Sequence, residues 1–67
     1  MEEHIREATR SLCKQFDATN RSRDKIALVN FVTWELIERF GTAIAMNYRV
    51  EAQEEVNIFC AQYGYAS

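Results

Sequence analysis

The sequence predicts an all-α fold, a compact three-helix protein, and three observations predict it. Proline is absent from all 67 residues. The only glycines, Gly41 and Gly64, stand where helices can end. Between those stops the apolar residues recur with the helical period in three segments, about 2–18, 22–40 and 43–63. The chain is read as a single domain spanning residues 1–67.

In the first segment Ile5, Ala8, Thr9, Leu12 and Phe16 line one narrow face. Glu2, Glu3 and Glu7 near its start suit the positive end of a helix dipole. Away from that face run Arg6, Arg10 and Lys14, spaced i, i+4 and i+8. From Asp17 to Asp24 the side chains are those that bond to their own backbone, which marks a loop. Ser22 is the expected N-cap of the next helix, with Asn20 as the alternative and Asp24 in the first turn.

The second segment, Ile26 to Phe40, organises the rest. On a helical wheel Leu36, Val29, Phe40, Thr33, Ile26 and Ile37 share a face of about 100°, read as the core stripe. Ala27, Leu28, Phe31, Val32 and Trp34 spread over much of the remaining circumference, so this helix is apolar nearly all round. Such a helix needs cover on more than one side, and two short neighbours offer too little. The expected cover is a second copy, giving a helical homodimer, or a partner protein. Leu28, Phe31, Val32 and Trp34 are the candidate interface, since aromatic side chains displaced from a core face are the kind enriched at binding hot spots.

In the third segment Ala45, Tyr48, Ala52, Val56, Phe59 and Tyr63 cluster on one face. Gly64 fits a left-handed cap, which would let Tyr65 fold back on Phe59 or Cys60. Two alternatives stay open. Ile44, Met46, Tyr48 and Val50 also alternate with period two, which would suit a strand over 43–50. Helices two and three could instead fuse through Gly41, at a cost of about 1 kcal/mol.

A chain this short buries only about 60% of its unfolded surface, so association is one expected route to stability. Its composition, 48% hydrophobic and 27% charged with a net charge of −2, is that of a globular domain rather than a disordered one. No apolar run exceeds four residues, far below the roughly 18 that a membrane-spanning helix needs. No export leader is recognisable, so the expected location is the cytoplasm, with Cys13 and Cys60 as reduced, buried thiols.

No constellation points to catalysis. His4 is the only histidine and lies in a first turn, nine positions from Cys13 and on another face. Glu51, Glu54 and Glu55 read as a solvated acidic face. The glycines lie too far apart for a phosphate loop, and no metal-binding spacing of His and Cys occurs. Neither a cofactor nor a metal is expected.

The basic residues carry the rival reading. Arg6, Arg10, Lys14, Arg21, Arg23 and Lys25 are six of the eight, all within the first 25 positions. Five carboxylates share that stretch and leave it only +1, against −3 for the remainder. Gly41 also makes a poor helix-turn-helix glycine, because Ile37 stands where a small residue is needed. The expected function is therefore a small non-enzymatic intracellular interaction protein, a regulator, adaptor or inhibitor that docks through helical surfaces. The alternative is a dimeric DNA-binding regulator using the first helix and the Arg21/Arg23/Lys25 loop.

Overall fold

In the computed structural model, which describes residues 1–65, four helices follow one another: α1 (Glu2–Thr19), α2 (Lys25–Phe40), α3 (Thr42–Asn47) and α4 (Arg49–Tyr63). No strand occurs among the described residues, so the period-two pattern at 43–50 is not used. The expected third helix is instead interrupted at Tyr48, whose backbone (φ −108, ψ 23) leaves the helical region for one residue. Its N–H still bonds Ile44 O at 3.1 Å and its carbonyl still accepts from Ala52, so the interruption is a bend. The bend serves packing: α3 lies on α2 while α4 turns to run along α1, and one straight helix would not follow both.

α1 packs closely against both α2 and α4, whereas α2 and α4 touch each other sparingly. Arg6 meets Glu54 and Glu55, and Asp17 meets Tyr65, so α1 and α4 run parallel with α2 antiparallel between their ends. The core is built from Ile5, Leu12, Cys13 and Phe16 of α1, Leu28, Val32 and Leu36 of α2, and Ala52, Val56, Phe59 and Cys60 of α4. Thr9 is also buried, its hydroxyl donating to Ile5 O at 2.8 Å. The exposed surface, 4436 Å², is close to the roughly 4,400 Å² that area scaling assigns to a monomeric protein of this mass. A single chain is therefore as well closed as an ordinary small domain.

The loop after α1 is capped differently from expectation. Asp24, not Ser22, is the N-cap of α2: its Oδ1 accepts from Ile26 N–H at 3.0 Å, on an extended backbone. Asn20 closes α1 instead, its backbone and side-chain N–H groups both donating to Phe16 O.

Both glycines sit at positive φ. Gly64 (φ 71, ψ 36) is the expected left-handed cap, and Tyr65 N–H then reaches Cys60 O at 3.0 Å. Its ring folds back between Phe59 and Phe16, with centroids 5.7 and 6.4 Å away. Gly41 (φ 89, ψ 158) takes a conformation nearly closed to side chains, and it forces the break between α2 and α3. A Cβ there would touch nothing within 4 Å, so the cost of a side chain is all backbone. Gly41→Ala should lower the unfolding free energy by about 1–3 kcal/mol in a denaturant titration. A synthetic chain with D-alanine at 41 should recover most of that loss.

Candidate functional site

The structure turns α2 by roughly 90° from the orientation read from its sequence. Leu28 and Val32, expected at an interface, are in the core at 0% and 2% exposure, in line with Leu36 one turn further on. Phe31 is half-buried against Phe16, with ring centroids 5.6 Å apart, so it serves the interior as well. Of the four candidate interface residues only Trp34 stands outward, 68% exposed. Conversely Ile26 and Thr33, assigned to the core, are exposed, and Val29 and Ile37 are half-covered. The reason is packing order. α1 claims the face carrying the three consecutive i, i+4 aliphatics, and the face interrupted by Thr33 is left outside.

That rotation opens an apolar furrow between α2 and α4. Its central part holds about 170 Å³. Val29, Thr33 and Ile37 form one wall, Arg49 and Gln53 the other, and Leu36, Ala52 and Val56 the floor. Ala45 and Met46 of α3 close one end, and Met46 is 58% exposed. A shallower groove beside Lys25, Ile26 and Asn30 continues it past Val29. A third groove, on α4 alone and lined by Arg49, Val50, Gln53, Glu54 and Asn57, adjoins it at Arg49 and Gln53. No residue of α1 lines any of the three. The sequence did carry a signal for this side, namely that Leu28, Val32 and Leu36 form an unbroken aliphatic row and the rival stripe does not.

The basic residues are not gathered into one free surface. Arg6 donates to Glu55 at 2.9 Å, to Glu54 at 2.9 Å and to Glu2 at 3.0 Å. Arg10 donates to Glu55 at 2.8 Å and lies 3.7 Å from Glu3. Glu55 is thus no part of a solvated acidic face. It is 7% exposed and gathers two guanidiniums, which reach it because Arg6 and Arg10 are one turn apart on the adjoining helix. Arg10's hydrogen bonds, followed by Arg6's, hold the Glu55 carboxyl below the usual range against the opposing pull of burial. A carboxylate so committed is a poor acid or base. Lys14, Arg21 and Arg23 remain exposed, with Arg23 4.0 Å from Asp17, and Lys25 is half-buried where α2 begins.

The thiols are interior. Burial first, then neighbouring Cys60 and Glu55, pushes Cys13 up to about 12, and burial likewise raises Cys60 despite Lys25 nearby. His4 is exposed, so it and Cys13 form no nucleophile–base pair. Among the described residues no three of His, Cys, Asp and Glu are grouped to hold a metal ion, and no helix is long and apolar enough to cross a membrane. Neither thiol should react with a colorimetric disulfide reagent at pH 8 in the native state, and both should do so in denaturant. Fast native labelling of either would contradict the packing described.

No protein family, curated protein or solved structure matches the chain.

Proposed function

We propose that the chain is a non-enzymatic intracellular binding module, a regulator, adaptor or inhibitor whose working surface is the furrow between α2 and α4. One observation carries this reading. Ile26 and Met46 stand more than half exposed around an apolar groove that no other element among the described residues covers. The central groove, of about 170 Å³, is open and mostly apolar, and it has room for anchoring side chains of a protein. Nucleic acid has less behind it, since Arg6 and Arg10 are engaged by carboxylates and Arg23 lies beside Asp17, which leaves Lys14, Arg21 and Lys25 of the six predicted contacts for phosphates. The expected homodimer falls under the same reading, with the second copy as the occupant.

The test uses Met46→Glu and Thr33→Glu, both at exposed positions where the fold should survive. Protein captured from native cells by the wild-type chain should persist after nuclease treatment and be lost with either variant. Light scattering on the purified chain at micromolar concentration reads self-association directly. Capture abolished by nuclease, or unaffected by both substitutions, would overturn the furrow as the working surface.

A further inference from the structure

We infer that the occupant of the furrow is an acidic amphipathic helix from a different protein, lying between α2 and α4 as the fourth helix of a bundle. The inference rests on the furrow being the binding surface and names what binds there.

The shape comes first. α1 is wedged against both α2 and α4, and these two make little contact with each other, so the side away from α1 is an open helix position. Three helices packed this way present the groove into which the fourth helix of a bundle settles. The α2 wall from Ile26 to Ile37 is about 17 Å long at 1.5 Å per residue, or three turns. The central 170 Å³ takes apolar anchors one turn apart, and the groove beside Ile26 and Val29 takes the next.

Charge then chooses among helices. Lys25 stands at one end of the furrow and Arg49 at the other, and neither has an ion-pair partner among the described residues. Among the described residues no carboxylate lines the furrow itself, and Glu54 in the adjoining groove already accepts from Arg6. Asp24, beside Lys25, is used in capping α2. Carboxylates near both ends of the incoming helix complete both cations. A second copy laying the same face on this one does the reverse. Under either two-fold arrangement of the helices, Lys25 and Arg49 meet each other or themselves. Like charges across a contact select against that pairing.

The experiment uses the full chain and three capped, fluorescent 16-residue peptides. Each has leucines at i, i+4, i+7 and i+11. The first carries glutamates near both ends, the second lysines in their place, and the third is the acidic peptide with a central proline. In anisotropy titrations at about 0.1 M salt the acidic peptide should bind about tenfold more tightly than the basic one. The double variant Lys25→Glu, Arg49→Glu should reverse that order, the proline peptide should lose binding, and Met46→Glu and Thr33→Glu should each abolish it. Equal binding of the acidic and basic peptides would overturn the charge complement, and equal binding of the proline peptide would overturn the helix. If no peptide binds while the two furrow variants still lose cellular capture, the occupant is wrong and the binding surface stands. Peptide binding that survives both furrow variants would sink the two together. A dimer in light scattering that either furrow variant dissolves would make the second copy the occupant and reject this inference.

Discussion

Leu28→Ala should cost about 2–5 kcal/mol and leave the chain largely unfolded at 37 °C. Leu28 is wholly buried where α2 meets the core, and alanine would remove three carbons from a site that α1 and α4 hold open. A 67-residue domain has only roughly 3–10 kcal/mol in total, so this one truncation consumes much of it. Trp34→Ala, six positions on, should cost less than about 0.5–1 kcal/mol, although tryptophan is the larger side chain. Denaturant titrations followed by far-ultraviolet circular dichroism, which does not need the lost indole, measure both. Comparable losses at the two positions would mean that α2 is turned the other way.

The second large effect is expected at Glu55. Glu55→Gln leaves Arg6 and Arg10 facing a neutral amide and should cost about 1.5–3 kcal/mol at pH 7. The figure stays at the level of charged hydrogen bonds because both guanidiniums reach water on their outer sides. Acid should produce the same loss in the wild-type chain. The two arginines hold Glu55 below its ordinary value, so the folded state binds the proton less readily than the unfolded state. Its contribution is therefore complete above about pH 4.3, the unfolded value, and declines as the pH falls through the lower folded value. Stability against pH should drop more steeply below pH 4 in the wild type than in Glu55→Gln. Parallel curves would show that the carboxylate contributes nothing through its charge.

Much of the fold was legible because local chemistry decides it. The face of α1 is narrow and unambiguous, and Ile5, Leu12 and Phe16 are buried as its spacing requires. Gly41 and Gly64 end helices because they alone tolerate the backbone found there. The orientation of α2 was not legible, since a helix apolar on most sides has no preferred face until its neighbours compete for it. That competition placed Leu28 and Val32 inside and moved the candidate site to Val29, Thr33 and Ile37, across to Met46 and Arg49. Glu55 was misread for a related reason. Three glutamates on one helix look solvated until α1 brings two arginines alongside, and those arginines lie 49 and 45 positions away in sequence. The bend at Tyr48 has no glycine or proline to announce it.

The wide spacing of those contacts also bears on how the chain emerges during synthesis. α1 is fastened to α4 at both ends, by Arg6 to Glu55 and by Asp17 to Tyr65, and each fastening spans about three quarters of the described chain. Helices form within microseconds, but at 5–20 residues per second the 49 positions from Arg6 to Glu55 take roughly 2–10 s to be made. α2 itself is made during that interval and is complete only at Phe40, so until α4 follows the stripe of α1 has at most α2 to pack on. A chain whose α4 has not yet docked leaves Leu12, Phe16 and Leu28 incompletely covered, and in that form it is exposed to aggregation and to chaperones.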